Sequence, residues 1–253
     1  MEIIVCAKQV PDTTEAELKI SEDKKSVKIA NLPLDINEWD NYALEEAILI
    51  KEKFSGFVRV ITIGSSNADT MLRMCLAKGA DEAVRIDTVE QLDGYLTSLL
   101  LAQAIKEQNY KFDLILTGVQ SSDYAQAQVG GMLAELLNVP HTTIVTKIEL
   151  EGKSAKVERE LEGGTKELLI INLPAVFTVQ SGINEPRYAS MLGIKRASAK
   201  EIKLLRLGEL KPKVVIENLF IPPKLKKAEI LTGGLDEATA KLSSIIKEKG
   251  LLR

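Results

Sequence analysis

Residues 118–131, GVQSSDYAQAQVGG, are the densest group of polar side chains in the chain that could bind a ligand. They lie between a predicted strand and a predicted helix, where backbone amides and the positive end of the helix dipole favour a phosphate or pyrophosphate. Gly130 and Gly131 allow the start of that helix to approach a neighbour or a ligand closely. Asp123 suits sugar hydroxyls or a helix cap better than a phosphate. The run matches neither the Walker A nor the GxGxxG pattern, so a polar loop with a helix cap is the open alternative.

Further candidate residues follow other predicted strands or open a helix. Residues 6–9 follow the first predicted strand, and residues 63–66 follow the second long one. In an open parallel sheet, ligands bind beyond the carboxyl ends of the strands, near the point where the strand order reverses. Asn37 and Asp40 open the first long helix, where they could contact an adenine or a ribose. Helix capping by Asn37 and a favourable dipole contact for Asp40 are the alternative.

The chain offers few side chains for covalent or metal chemistry. His141 is the single histidine, which excludes a catalytic triad or a histidine metal site in its usual form. Cys6 lies at a strand end without a histidine nearby in sequence, and Cys75 lies in an apolar run. We interpret both cysteines as buried thiols of a protein in a reducing compartment. No catalytic residue is therefore predicted.

Charge and hydropathy argue against two classes of partner. The net charge is −3, with acids and bases interspersed, which indicates no nucleic-acid surface. No apolar run approaches the roughly 20 residues needed to span a bilayer, so no membrane insertion is expected. The first residues, MEIIVCAKQV, lack a basic flank and are more typical of a strand than of a signal peptide. We therefore expect a cytoplasmic protein.

Strand and helix patterns alternate through the first 140 residues and predict an α/β fold, a parallel sheet with helices on both faces. One helix is expected from Glu38 to about Phe54, and another over residues 126–137. After residue 144, short alternating patterns predict antiparallel strands that extend the sheet edge. Residues 1–200 are predicted to be a nucleotide-binding domain, and residues 201–253 a C-terminal arm and helix that contact a partner subunit. A linker and a helix packed on its own domain are the alternative for this arm.

A second candidate surface lies in the loop that carries Tyr188 and the adjacent Met191 and Leu192. A basic run follows this pair, consisting of Lys195, Arg196, Lys200 and Lys203. An apolar anchor ringed by charges is typical of a docking surface, since the charges steer a partner toward the anchor. A solvated loop is the alternative.

Several segments, in the same order, resemble the beta subunit of electron transfer flavoproteins. The most specific is residues 157–179, VERELEGGTKELLIINLPAVFTV, followed by NEPRY and IKRA. KQVPDT near the start, YALEEAI in the first long helix and AKGAD at residues 77–81 agree with the same family. The resemblance covers residues 1–200 well and the tail only loosely.

The resemblance implies a Rossmann-like fold, similar to that of the adenine nucleotide alpha hydrolases, with an arm that wraps an alpha subunit. The alpha subunit would hold the redox-active FAD. This subunit would hold AMP or, in electron-bifurcating members, a second FAD. Carried over by motif, the cofactor contacts would be Cys6, Asn37, Trp39, Asp40, Ile63, Gly64, Gly118, Gln120, Ser121, Ser122, Asp123, Tyr124, Ala127, Gln128, Val129 and Gly130. The residues that dock on a flavin dehydrogenase such as acyl-CoA dehydrogenase would be Tyr188, Met191, Leu192 and Ile194.

Departures from the family pattern leave the identity of the nucleotide open. Members with AMP tend to carry a run of acidic residues followed by Cys-Asn-Gln-Thr, whereas residues 123–129 here read DYAQAQV. The AQVG run is closer to the bifurcating members, or to the related members encoded with carnitine and nitrogen-fixation systems. It slightly favours FAD, although the Asp-Gly-Asp-Thr usual in bifurcating members is absent. Met191 replaces the docking leucine of familiar members, and Thr13 stands where some members have a tyrosine near the flavin.

The resemblance therefore implies a heterodimeric flavoprotein that carries electrons between flavin dehydrogenases and a downstream acceptor. For the bifurcating type it also implies NADH as donor and ferredoxin as one acceptor. The flavin would do the redox work, and the protein would bind and orient it. The alternative is a stand-alone ATP- or AMP-binding α/β protein without a redox role.

Overall fold

The computed structural model describes residues 1–14, 18–29, 32–88, 92–208, 210–223, 228 and 230–251. These residues form two compact units, Met1–Glu217 and Asn218–Arg253. The first unit contains the sheet and both candidate surfaces.

Strands and helices alternate through most of the first unit. Its strands are β1 (Glu2–Cys6), β2 (Gln9–Pro11), β3 (Leu34–Ile36), β4 (Phe57–Gly64), β5 (Glu82–Asp87), β6 (Leu114–Gly118), β7 (His141–Glu151), β8 (Ser154–Glu160), β9 (Lys166–Asn172), β10 (Ala175–Val179) and β11 (Ile202–Leu205). Its α-helices are α1 (Glu38–Phe54), α2 (Asp69–Lys78), α3 (Gly94–Glu107), α4 (Val129–Leu137) and α5 (Met191–Ser198).

The main sheet has the strand order β11-β5-β4-β1-β6-β10-β7-β8-β9. The strands from β11 to β7 pair in parallel, whereas β7, β8 and β9 pair antiparallel. The predicted α/β fold, with its parallel centre and antiparallel edge extension, is thereby confirmed. The short strands β2 and β3 form a separate antiparallel pair.

Helices cover both faces of the sheet because successive residues of the central strands point to opposite sides. Ile3 and Val5 of β1 belong to the core that contains α1 and α2, and Ile4 belongs to the core that contains α3 and α4. All three residues are almost fully buried. A continuous apolar run is what a parallel strand covered on both faces requires.

The structure departs from the sequence expectations at several element boundaries. Helix α4 begins at Val129, whereas the sequence pattern placed its start near residue 126. The loop with Met191 and Leu192 is in fact the short helix α5. Residues 202–205, expected in the arm, form the edge strand β11 beside β5. A four-residue edge strand is too short to show a clear period in the sequence.

The described residues of the second unit contain one helix, α6 (Leu235–Glu248). Its sequence pattern is amphipathic, yet no residue of this helix is buried in the described part of the chain. Leu235 and Leu242 are 84% and 49% exposed.

Candidate functional site

The carboxyl ends of β1 and β6 form the crevice at which the strand order reverses. From β1 the chain adds β4 and β5 on one side, and it then crosses to β6 on the other. Ligands of open α/β sheets bind at such a switch point. Because Cys6 of β1 lies opposite Thr117 of β6, residues 6–9 and 118–131 meet here. Ile63 and Gly64 end the adjacent strand β4, at the same edge of the sheet.

Asp40 joins the two strand ends at this crevice. Its Oδ2 accepts a hydrogen bond from the backbone amide of Lys8 at 2.8 Å. Its Oδ1 accepts one from the backbone amide of Gly118, also at 2.8 Å. The residue is only 6% exposed. Both carboxylate oxygens therefore hold backbone in place, and direct contact of this side chain with a nucleotide stays a prediction.

Asn37 does not cap α1 through its side chain, so the capping alternative considered from the sequence does not apply to this side chain. Its side-chain amide donates to the carbonyl oxygen of Gln120 at 2.8 Å, and its Oδ1 accepts from the amide of Ser122 at 3.1 Å. Its own backbone amide donates to the carbonyl oxygen of Lys8 at 2.8 Å. Asn37 is completely buried and connects the loops that follow β1 and β6. An amide can donate and accept at once, which suits this bridging position.

Burial changes the titration of two groups in the crevice. It raises the pKa of Asp40 from 3.8 to about 7, against the opposing effect of the two backbone amides. Burial, and then the neighbouring charge of Asp40, raise the pKa of the Cys6 thiol far above its usual range. A thiol in this state is a poor nucleophile, which agrees with the interpretation of Cys6 as a packing residue.

Lys8 places a positive charge over the 118–131 loop. Its Nζ lies 2.5 Å from Asp123 Oδ2, 3.5 Å from Ser121 Oγ and 4.4 Å from the centre of the Tyr124 ring. The sequence analysis included Lys8 in the loop after β1 but did not assign it a cofactor contact. Its position directly after a strand that ends at the crevice was the available signal.

The backbone before α4 has a pattern typical of an anion-binding concavity. Ala125 and Ala127 have φ angles of 50° and 51°, in the left-handed region, whereas Gln128 has φ −106° and ψ −30°. Alternation of left- and right-handed residues turns successive N–H groups toward one side. Residues 122–128 are exposed, and the Gln128 side chain makes no capping hydrogen bond to α4. The amides of the first helical turn have no partner within the helix, as at the helix starts where anions bind.

Two glycines of the loop are in close contact with the protein itself. A Cβ on Gly118 would lie 2.5 Å from Asp40 Oδ1 and 2.6 Å from the Cβ of Trp39. A Cβ on Gly130 would lie 2.2 Å from Thr178 Cγ2. The contact of α4 with β10, and of β6 with the start of α1, therefore requires the small size of these residues.

Trp39 is half-buried at the start of α1, and its indole N–H donates to Gln180 Oε1 at 2.9 Å. The polar edge of this ring is thus directed toward the segment after β10. Stacking of an adenine on the face of this ring stays a prediction.

Asp93 brings a later segment of the chain against the 118–131 loop. Its Oδ1 accepts from the amide of Leu96 and caps α3, while its Oδ2 accepts from the amides of Lys213 and Val214 at 2.7 and 2.8 Å. A shallow apolar cavity lies between the two, lined by Leu92, Asp93, Tyr124, Gln126, Pro212, Val214, Val215 and Ile216. The sequence did not predict this contact, because nothing local relates Asp93 to Lys213, which lies 120 positions away.

The second candidate surface is an exposed apolar patch, which we call the docking patch. It consists of Tyr188, Met191, Leu192 and Ile194, which are 98%, 83%, 56% and 43% exposed. Three of these residues lie on α5, and Ser190 caps that helix by accepting from the amide of Gly193 at 3.0 Å. Adjacent exposed apolar residues on one helix are typical of an interaction surface.

Two other kinds of site are missing from the described residues. No group of three or more histidine, cysteine, aspartate or glutamate side chains there could hold a metal ion. Within the same part of the chain, every helix is too short or too polar to cross a membrane.

Comparison with known proteins agrees with this geometry. The family described as electron transfer flavoprotein domain matches residues 27–210. The chain is 38% identical to the electron transfer flavoprotein subunit beta of Methylophilus methylotrophus, over 98% of both chains. It is 36% identical to the protein of the same name from Bacillus subtilis strain 168, again over 98% of both chains. It is also 37% identical, over the full length of both chains, to the caffeyl-CoA reductase-Etf complex subunit CarD of Acetobacterium woodii.

A full-length match at this identity, together with the switch-point crevice, establishes the family. The chain belongs to the beta subunits of the electron transfer flavoproteins.

Proposed function

We propose that this chain pairs with an electron transfer flavoprotein alpha subunit and carries electrons between a flavin dehydrogenase and a downstream acceptor. Membership of the beta-subunit family supports the electron-transfer role. The observation that carries the proposal is the pairing of a phosphate-type concavity at the switch point with an exposed apolar docking patch. In this division of labour the flavin supplies the redox chemistry, and this chain binds, orients and docks.

The crevice between β1 and β6 holds an adenine nucleotide, either AMP or the adenosine diphosphate half of FAD. Its phosphate would lie at the concavity formed by residues 125–128, beside the Lys8 ammonium. Two supporting observations are the start of α4, which no side chain caps, and the Lys8 ammonium, which reaches across the loop to Asp123. Asp123, which pairs with that cation, is within the same loop and is available to sugar hydroxyls.

Purification of the heterodimer tests both the redox role and the nucleotide. The protein co-purified with its alpha subunit is expected to be yellow, and denaturation should release FAD together with AMP or a second FAD. A colourless heterodimer after gentle purification would contradict the redox role and favour a stand-alone nucleotide-binding protein. The same purification from a chain that ends at residue 217 tests whether the part of the predicted arm beyond that residue binds the alpha subunit, since the alpha subunit should then be lost.

A bifurcating role, with NADH as donor and ferredoxin as one acceptor, is the second candidate. It is favoured by the Ala127–Gly130 run AQVG and by the similarity to a subunit of a caffeyl-CoA reductase-Etf complex. Two FAD per heterodimer would support this role. One FAD and one AMP would refute it and leave simple electron transfer.

Replacing Lys8 with methionine is expected to weaken nucleotide binding about tenfold, because a charge-assisted hydrogen bond to phosphate is lost. The midpoint of unfolding should change little, since the Lys8–Asp123 pair is largely at the surface. Calorimetric titration of nucleotide-stripped protein with AMP and with FAD measures the effect. Lys8→Arg, which keeps the charge, is the matched control. Equal nucleotide affinity of Lys8→Met and the unchanged protein would show that Lys8 does not contact the nucleotide.

Met191→Ala is expected to raise about tenfold the carrier concentration needed for half-maximal reduction by an acyl-CoA dehydrogenase. Met191 is the most exposed apolar side chain of α5, and truncation of a central anchor typically costs one to two factors of ten in affinity, about 1–3 kcal/mol. Met191→Leu retains the apolar volume and should behave like the unchanged protein. Steady-state kinetics and flavin content are measured together. Loss of flavin in Met191→Ala would count against a docking role.

A further inference from the structure

The docking patch lies on a helix that is held in place by side chains from two other helices. Helix α5 has eight residues, of which Ala197 is buried. Isolated helices shorter than about 12–15 residues are marginal in water. The exposed residues of the patch do not bury any of α5, so contacts with other parts of the chain must keep this helix folded.

Arg73 of α2 holds the C-terminal end of α5. Its Nη1 donates to the carbonyl oxygens of Ala197, Ser198 and Lys200 at 3.0, 3.4 and 3.2 Å. The last carbonyls of a helix have no donor within it, and they carry partial negative charge. A guanidinium at this end donates hydrogen bonds to these carbonyls and also offsets their negative charge. The Lys200 ammonium in turn donates to the carbonyl oxygens of Ala80 and Asp81.

Arg187 holds the segment that enters α5. Its Nε donates to both carboxylate oxygens of Glu45 at 3.0 Å, and its Nη1 and Nη2 donate to Glu52 at 2.6 and 3.1 Å. Its backbone amide also donates to Glu45. Glu45 is 4% exposed, so this pairing is largely withdrawn from water. The Arg187 fork thus fastens the chain just before Tyr188 to the middle of α1.

Gly193 allows α5 to pack closely against α2. A Cβ at this position would lie 2.3 Å from the carbonyl oxygen of Ala77, which is backbone and cannot move aside. Asn184 adds a further tie to α1, with hydrogen bonds to Glu46 at 2.9 Å and to the carbonyl oxygen of Tyr42 at 3.1 Å. Both ends and the middle of the patch are therefore fixed to the rigid part of the sheet domain.

We propose that Arg73 and Arg187 are positioning residues that hold the docking patch in its binding conformation before the dehydrogenase arrives. This inference rests on the proposed docking role of the patch. Ordering a loop at the moment of association weakens binding, and a surface that is already ordered avoids that loss. Arg73 contacts the end of the helix, and Arg187 ties the entry segment to α1. The partner would contact the apolar side chains that these ties hold in place.

Hydrogen exchange of the full-length chain in its heterodimer tests the inference. In Arg73→Met, amides of residues 190–199 are expected to exchange about tenfold faster, because a charged hydrogen-bond partner of the helix end is lost. Amides of residues 118–131 should exchange at their original rate. Arg206→Met removes the same charge at an exposed position and should change neither segment. Arg73→Lys, which can still donate to one carbonyl, should restore part of the protection.

Kinetics with an acyl-CoA dehydrogenase supply the functional readout. The carrier concentration at half-maximal rate should rise in Arg73→Met, while the rate at saturation and reduction of the flavin by dithionite stay unchanged. Arg187→Lys, which can reach only one of its two carboxylates, should act in the same direction. Hydrogen exchange that is unchanged at residues 190–199 overturns the inference, and so does exchange that accelerates equally at residues 118–131. Faster exchange at residues 190–199 with an unchanged carrier concentration at half-maximal rate overturns it as well. If exchange accelerates as expected but Met191→Ala has no kinetic effect, the docking proposal fails separately.

Discussion

Replacing Gly130 with alanine is expected to lower the free energy of unfolding by about 3 kcal/mol, because overpacking a filled core displaces backbone. The new Cβ would lie 2.2 Å from Thr178 Cγ2 and 3.0 Å from Thr117 Oγ1. Thr178 is 3% exposed and β-branched, so it cannot rotate away from α4 without a new clash. The start of α4 must move instead, and the loop before it, which we propose to hold the phosphate, moves as well. Nucleotide affinity should therefore fall together with stability.

The next residue provides the matched control for this substitution. A Cβ on Gly131 would lie 3.7 Å from His141 Nε2, which is an ordinary contact. Alanine in a helix is favoured over glycine by up to about 1 kcal/mol, so Gly131→Ala should be neutral or stabilising. Urea denaturation of both variants, with calorimetric titration of AMP, measures the two effects. Similar behaviour of the two variants would show that α4 does not pack on β10 as described.

Stability should fall between about pH 4 and pH 7 because of Asp40. Its pKa is raised by burial from 3.8 to about 7 in the folded protein. Within this window the folded chain keeps a proton that the unfolded chain has released, so the unfolded state binds fewer protons and stability decreases as the pH rises. A difference of about three between the folded and unfolded pKa values of Asp40 corresponds to a loss of at most about 4 kcal/mol of stability across this window.

Asp40→Asn separates this contribution from those of other carboxyl groups. The uncharged amide removes the ionisation, so the stability of the variant should depend less on pH between 4 and 7. At pH 4 the variant should be less stable by about 1–3 kcal/mol, because its NH2 group faces one of the two backbone amides that Asp40 accepts from. The stability difference between the two proteins should then shrink as the pH rises. A constant difference across the window, measured by chemical denaturation at each pH, would mean that Asp40 does not titrate there.

Local sequence patterns predicted the elements that depend on local chemistry. The apolar stripe of α1 and the helix-opening Asn37 predicted a helix from Glu38 to about Phe54, and the structure has these bounds. The continuous apolar run of β1 predicted a strand covered on both faces, which is also observed. The start of α4 was misplaced because Ala125 and Ala127 adopt left-handed backbone conformations that alanine rarely takes. Propensity would extend the helix through both residues.

The candidate site shows the same division between local and tertiary information. The 118–131 loop was recognisable by its composition, since small and polar residues between a strand and a helix favour a phosphate site. The role of Asn37 was not recognisable from the sequence, because a helix-opening asparagine is predicted to cap its own helix. In the structure its side chain is used 83 and 85 residues away, at Gln120 and Ser122. A partner at that separation outcompetes the local one only when the fold brings the two loops together.

The sequence by itself determined the family, the α/β layer order and the two candidate regions, because these depend on periodicity and on motifs read along the chain. Tertiary structure alone decided that β1 and β6 are neighbours, and therefore that Lys8 lies over the 118–131 loop and that Asp40 links the two strand ends. It also decided that Arg73 and Arg187 hold the docking patch. The physical reason is common to these cases. Hydrogen bonds and ion pairs form between groups that are close in space, and spacing along the chain does not encode which distant groups will meet.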